Sequence, residues 1–173
     1  PLYSSAASDV YKRQVHNLDL ICWMFEAVPT RVCARSVRVN PQLIIDDNVW
    51  ISLEFEGSRR AEDHIAWVPM ERYIMPVAHP RFLLQGTQGF YHVDLWRRSG
   101  TLYDGEFSKY TDDVLLGMSE EYLSTVAYGL WYFVQAIRKG GPSPMPPMEA
   151  LPAVRIALAA RESLDADGAW IHI

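Results

Sequence analysis

The apolar positions near the start of the chain recur at helical spacing. Residues 15–25 are predicted to form a helix whose buried face carries Leu18, Ile21, Met24 and Phe25. His16 and Asp19 lie three residues apart, so they share a face near the first turn of that helix. We expect these two side chains to point into a cleft at the start of the helix.

The pattern then changes to the alternation that is typical of strands. Strands are predicted over residues 32–39, 49–55 and about 61–68. Residues 69–80 contain three prolines and are predicted to be a loop, which serves either a site or an ordinary connection. Residues 86–89, Gly-Thr-Gln-Gly, suit a hairpin turn between two further strands. Another strand is expected over residues 101–103, followed by an irregular segment up to residue 117.

Two helices are predicted in the last third of the chain. Ser119 is a good N-cap for the first, which ends before Gly140, and the second covers residues 148–164. Residues 170–173 are expected to close the chain as a short strand. Strands followed by helices indicate the α+β class, with a mainly antiparallel open sheet and helices on one face.

The alternation assigns different side chains to the two faces of the sheet. Val49, Ile51, Leu53 and Phe55 should be covered by the two C-terminal helices. The helix residues expected to cover them are Leu130, Phe133, Leu151 and Leu158, with Val154 also buried. The opposite face is expected to carry Trp50, His64, His92 and Trp96. Such a surface is either half covered by its neighbours or packed against a second subunit.

Composition limits the classes of function. The chain has 173 residues, of which 49% are hydrophobic, which is enough for the core of one ordinary domain. A net charge of -5 with scattered basic residues argues against nucleic acid as a partner. No apolar run approaches the roughly 18 residues of a membrane span. Two cysteines fit a reducing cytoplasm better than a disulfide framework.

His16 and Asp19 are the candidate catalytic residues, since a histidine and a carboxylate on one helix face can handle protons. Each also has a simpler explanation: His16 as a local hydrogen-bonding group, and Asp19 as an acid favoured by the helix dipole. With Cys22 they could in principle bind a metal, but no second cluster of ligands is nearby, and Cys22 is more simply a small buried hydrophobic residue.

Three segments resemble motifs of the Gfo/Idh/MocA family of nicotinamide-dependent oxidoreductases. Residues 15–23 resemble the family's G-x-H-x-x-D-L-x-x-W helix, and residues 46–57 its D-N-x-x-x-x-L-x-F-x-G strand. Residues 149–163 resemble its closing helix, which ends in A-A-x-E-S. The turn at residues 86–89 matches the family's G-T-x-G. The similarity extends from Val15 to the C-terminus.

The resemblance implies that residues 15–173 are the C-terminal substrate and oligomerisation domain of an oxidoreductase. Such enzymes move a hydride between NAD or NADP and a sugar, cyclitol or related polyol. The cofactor is bound mainly by an N-terminal Rossmann domain, whose G-x-G-x-x-G turn is absent from this sequence. His16 would act in the proton relay, with Asp19 orienting it or capping local backbone groups. Family members pair through the open sheet face, which implies a homodimer or homotetramer.

Two departures from the family pattern stand at the front of the chain. Residues 1–14 resemble a translated sequencing adapter and are expected to be a non-native leader. The family's Glu-Lys-Pro lysine is absent, and Lys12 stands where its aspartate would be. The fragment alone is therefore expected to be inactive. A non-catalytic dimerising or ligand-binding module and, more weakly, a metal-dependent hydrolase are the alternative functions.

Overall fold

The computed structural model describes residues 15–39, 41, 46–66, 81–94, 99–105, 108–112 and 125–173. The chain divides into two compact units, one formed by Pro1–Pro69 with Gly140–Ile173 and the other by Met70–Lys139. The expected leader, the predicted loop at residues 69–80, the Ser119 N-cap and Trp96 lie outside the described residues.

The first unit is an antiparallel sheet with two helices. Residues 15–25 are the described part of helix α1, and strands β1 (Arg31–Val37), β2 (Asn48–Glu54) and β3 (Arg60–Ala66) follow. Helix α3 covers Pro147–Asp165, and strand β8 covers Ile171–His172. The strands lie in the order β3-β2-β1-β8. The three predicted strands and the short closing strand are thereby confirmed.

The core of this unit lies on the inner face of β1 and β2. Val49, Ile51, Leu53 and Phe55 are each at most 5% exposed, as the two-residue period predicts. Leu18 of α1 is completely buried in the same cluster. Helix α3 contributes a stripe at helical spacing, formed by Ala153, Ile156, Ala159 and Ala160.

The prediction for the buried face of α3 was wrong. Leu158 is 66% exposed and Val154 is 44% exposed, while Leu151 is only partly buried. The helix turns its alanines to the sheet instead. Because an alanine side chain is short, the α3 backbone can approach β1 closely, with Ile156 as the large aliphatic residue of the stripe, while Val154 and Leu158 fall outside the contact.

Two residues of the family-like motifs have clear structural roles. Ser163 is fully buried, and its Oγ accepts a hydrogen bond from the Ala34 N–H at 2.8 Å and donates one to the Ala169 carbonyl at 2.6 Å. Asp47 is 2% exposed, and its Oδ1 accepts the Val39 N–H at 2.7 Å. These side chains satisfy backbone groups that have no ladder partner, which explains why a serine and an aspartate stand at buried positions.

The second unit contains strands β4 (Arg81–Gly86), β5 (Gly89–Asp94), β6 (Ser99–Tyr103) and β7 (Ser108–Asp112), and helix α2 (Thr125–Lys139). The strands form an antiparallel sheet in the order β4-β5-β6-β7. The hairpin turn at residues 86–89 is confirmed, since Gly86 pairs with Gly89. The prediction of an irregular segment before residue 117 was wrong, because residues Ser108–Asp112 form the edge strand β7, whose backbone pairs with β6. The polar sequence of this strand gave no sign of the pairing.

The α+β class with antiparallel sheets is confirmed, and the strands of the described ranges form two four-stranded sheets, one in each unit. Leu130 and Phe133 of α2, expected to cover the inner sheet face, are 60% and 50% exposed. Within the described part of the chain, no helix has both the length and the apolar character needed to cross a membrane.

Candidate functional site

The structure places the two predicted site residues on α1. The side chains of His16 and Asp19 are both exposed, while Leu18 between them is completely buried. Among the contacts of the described residues, no hydrogen bond joins the two side chains. Both groups are therefore accessible to solvent or to a ligand, and their action as a proton-handling pair stays a prediction.

The far end of α1 is fixed to the turn between β2 and β3. The rings of Phe25 and Phe55 stack with their centroids 4.4 Å apart. The guanidinium of Arg59 donates a hydrogen bond to the Phe25 carbonyl at 3.1 Å and to the Glu56 carbonyl at 3.1 Å. One arginine thus satisfies a carbonyl at the end of the helix and a carbonyl of the turn. The end of α1 cannot shift along the sheet without breaking these bonds.

The start of α1 is tied to strand β3 by a side-chain contact. Asn17 Nδ2 donates a hydrogen bond to Asp63 Oδ1 at 3.0 Å, across 46 residues of sequence. Asp63 pairs in register with Ile51, so it stands on the apolar inner face of the sheet. Burial raises the pKa of Asp63, and the Asn17 hydrogen bond and the charge of His64 lower it by less. The net effect is a pKa above the ordinary value of an aspartic acid.

Asp63 was missed by the sequence reasoning, although a signal was present. In the alternation of β3, Asp63 falls on the same face as Ala61 and Ile65, where an ionisable side chain is costly. A carboxyl at such a position needs a polar partner, and the partner, Asn17, lies next to His16.

Cys22 lies one helical turn beyond Asp19 on α1. Cys22 is partly buried against the core, as expected for a small hydrophobic residue. Burial, and then the charge of Asp19, raise its pKa to about 11. The free thiol therefore stays protonated near neutral pH. In the described ranges, no group of three or more His, Cys, Asp and Glu side chains is placed to hold a metal ion.

The outer face of the first sheet carries an aromatic pair. The rings of Trp50 and His64, which pair in register, stack with centroids 4.6 Å apart and an interplanar angle of 4°. Trp50 is still 41% exposed. His92 belongs to β5 of the other unit, where it pairs with Leu83. The expected neighbourhood of Trp50 and His64 is confirmed, and their continuity with His92 and Trp96 stays a prediction.

The same outer face ends in a paired row of charges. Glu54 contacts Arg31 at 2.6 Å and Arg60 at 3.0 Å. The hydrogen bond from Arg31, and then the charges of Arg31 and Arg60, hold the pKa of Glu54 below its ordinary value, while burial opposes them. Trp170 lies under the Arg31 guanidinium at 4.8 Å. The charges of this row are therefore paired with one another, while Trp50 and Trp170 are exposed apolar side chains, 41% and 39% respectively.

The described residues do not provide a phosphate-binding turn for a dinucleotide. The glycine-containing turn at residues 86–89 joins two antiparallel strands, whereas a dinucleotide turn leads from a strand into a helix whose N-terminus faces the pyrophosphate. The open groove beside it is lined by Thr87, Gln88, Gly89, Tyr103, Asp104 and Gly105. It contains no basic side chain that would pair with phosphate. This turn and the groove beside it therefore do not fit the pyrophosphate of a dinucleotide.

Comparisons with known proteins agree with this architecture. Residues 10–92 match the family model of the GFO/IDH/MocA C-terminal domain. An oxidoreductase from Agrobacterium radiobacter, solved with NAD+, L-tartaric acid and magnesium, is 19% identical, with a TM-score of 0.70 over 91% of this chain and 47% of its own. A UDP-N-acetylglucosamine 3-dehydrogenase from Acidithiobacillus ferrooxidans is 18% identical, with a TM-score of 0.69 over 88% of this chain and 46% of its own. No curated protein matches the sequence.

These matches confirm the resemblance carried by the motifs. The region that matches the family model, residues 10–92, includes α1 and the strands β1 to β3. An aldose-aldose oxidoreductase from Caulobacter crescentus, solved with glycerol, shares the fold at 15% identity, with a TM-score of 0.68 over 92% of this chain and 46% of its own. The chain spans about half the length of the solved structures that it matches.

Proposed function

We propose that this chain is the C-terminal part of an NAD(P)-dependent oxidoreductase that acts on a sugar, cyclitol or related polyol. The observation that carries the proposal is the position of His16, which is exposed on a helix whose two ends are fixed to β3 and to the turn before it. That helix lies within the region matched by the family model. Two structural relatives, an aldose-aldose oxidoreductase and a UDP-N-acetylglucosamine 3-dehydrogenase, support the substrate class.

In this proposal His16 exchanges a proton with the substrate hydroxyl, and Asp19 orients it or binds local backbone groups. Imidazole is suited to this work because its proton affinity is balanced near neutral pH. The dinucleotide supplies the redox chemistry when it is bound. The proposal assigns the binding of the dinucleotide mainly to an N-terminal Rossmann domain of the longer protein.

The decisive experiment starts from the DNA upstream of the Val15 codon. If it encodes a Rossmann domain, the longer protein should reduce NAD or NADP with polyols, followed by absorbance of the reduced cofactor. His16→Ala should lower the rate by about 10²–10⁴-fold, and Asp19→Asn by less. His172→Ala, at an exposed histidine of β8, is the matched control and should leave the rate unchanged.

Two outcomes would contradict the proposal. Wild-type turnover by His16→Ala between about pH 6 and about pH 9 would make His16 structural, because loss of a general acid or base should be visible across that range. Saturable micromolar binding of NADH to the 173-residue chain, measured by calorimetric titration, would contradict the assignment of the cofactor site to other sequence.

The oligomeric assembly is part of the same proposal. We propose that the outer sheet face pairs with a second copy in a symmetric homodimer or homotetramer, because Trp50 is large, apolar and 41% exposed there. Trp50→Glu combined with Trp96→Glu should shift the longer protein toward monomer in light scattering. Met148→Glu, at a residue that is 72% exposed at the start of α3, is the control. An unchanged oligomer after the double substitution would refute this interface.

The second candidate is a non-catalytic dimerising or ligand-binding module. A Met-initiated reading frame that begins close to Val15 in the source DNA would favour it over the enzyme. A cytoplasmic location is proposed for either protein, because Cys22 and Cys33 both stand as free thiols.

A further inference from the structure

The contact between Asn17 and Asp63 is poorly explained by stability alone. Asp63 Oδ1 accepts the Asn17 hydrogen bond, but Asp63 Oδ2 is inaccessible to water and lacks a hydrogen-bond partner among the described residues. A half-satisfied buried carboxyl is costly, and an apolar side chain would suit the neighbours of Asp63 on the inner sheet face better. Costly polar groups of this kind concentrate where a structure must hold a functional group in place.

The hydrogen bond from Asn17 to Asp63 depends on direction, whereas the apolar packing of the neighbouring Leu18 does not. Leu18 fixes the distance between α1 and the sheet by apolar packing, which tolerates some rotation of the helix about its axis. A bond from Asn17 to a strand residue opposes such rotation at the turn that carries His16. At the other end, Arg59 supplies the corresponding directional bond to the Phe25 carbonyl.

We infer that Asp63 is a positioning residue for His16, acting through Asn17. By accepting the Asn17 hydrogen bond, the Asp63 carboxyl on β3 opposes rotation of the first described turn of α1 about the helix axis. Because His16 belongs to that turn, the position of its side chain is fixed with it. The catalytic meaning of this placement rests on the proposed function, since a displacement of about 1 Å can cost a large factor in rate. The placement itself is a property of the 173-residue chain and is measurable without activity.

The test uses hydrogen exchange and nuclear relaxation on the labelled 173-residue chain. Asn17→Ala and Asp63→Ala should speed exchange of the Asp19 and Leu20 amides by roughly two- to tenfold, the effect of one lost hydrogen bond. Relaxation of the His16 imidazole carbons should report increased motion in the same variants. Asp63→Asn keeps an acceptor oxygen opposite Asn17, so the amide exchange rates and the His16 relaxation in this variant should be close to those of the wild type.

Glu62→Ala is the matched control, because Glu62 is the next residue of β3 and also loses one side-chain hydrogen bond, to Ser52 at 2.7 Å. It should leave the His16 signals unchanged. If Asp63→Ala does not fold, Asn17→Ala still tests the inference from the helix side. Unchanged His16 relaxation in Asn17→Ala, or an equal increase in exchange along all of α1, would overturn it.

The longer enzyme separates this inference from the proposed function. If both hold, Asn17→Ala lowers kcat more than it raises the KM for the cofactor, and Asp63→Asn restores kcat in part. If His16→Ala is silent while Asn17→Ala still loosens the His16 imidazole, the proposed function fails and the positioning contact stands.

Discussion

Ser163→Ala is expected to destabilise the first unit by about 2 kcal/mol. The serine hydroxyl connects α3 to β1 and to the turn after α3, and its removal deprives two backbone groups of their partner. The Ala34 N–H, in a residue that is 1% exposed, is left without a partner in the core, which costs about 1–3 kcal/mol. The Ala169 carbonyl belongs to an exposed residue, so water can replace the lost bond there.

The assay must report on the first unit alone, since two compact units can unfold in separate steps. Native-state hydrogen exchange of the Val32 and Ile51 amides meets this need, because both residues are buried in that core. Ser52→Ala is the control: its Oγ bonds the exposed Glu62 side chain, and its loss should cost less than about 0.5 kcal/mol. A loss below about 0.5 kcal/mol in Ser163→Ala, or equal losses in the two variants, would refute the reasoning.

Two further predictions concern buried charge and a close backbone approach. Because burial raises the pKa of Asp63, the folded state binds its proton more tightly, and the contribution of Asp63 to wild-type stability should fall as pH rises from about 4 through the raised value. The stability of Asp63→Asn relative to wild type should therefore rise over that window in urea unfolding, and a pH-independent difference would contradict this. Gly89→Ala should abolish the β4–β5 hairpin, because a Cβ there would lie 1.9 Å from the Tyr103 carbonyl oxygen at φ +154. Gly86→Ala, whose Cβ would approach only to 4.0 Å, should fold normally, and amide exchange of both variants checks the pair.

The inner face of the first sheet was predictable because a strand has a period of two. Val49 and Ile51 are large and aliphatic, so one side of β2 is strongly marked, and the structure buries both. The buried stripe of α3 was not predictable in the same way. Its contact is made largely by small residues such as Ala153, and alanine is common on both the buried and the exposed faces of helices. The large apolar Leu158 therefore marks the buried face in the sequence pattern, although it is exposed in the structure.

Helical spacing places His16 and Asp19 on one face of α1, but it does not determine how that face is turned relative to the sheet. The structure sets this rotation with groups that come from β3 and the turn before it: Asp63 at the start of the helix and Arg59 at its end. Both lie more than 30 residues from their partners in the chain, so no motif confined to α1 contains them. A sequence motif can therefore identify the histidine, whereas the orientation of the helix that carries it is set by side chains of a hairpin that the motif does not include.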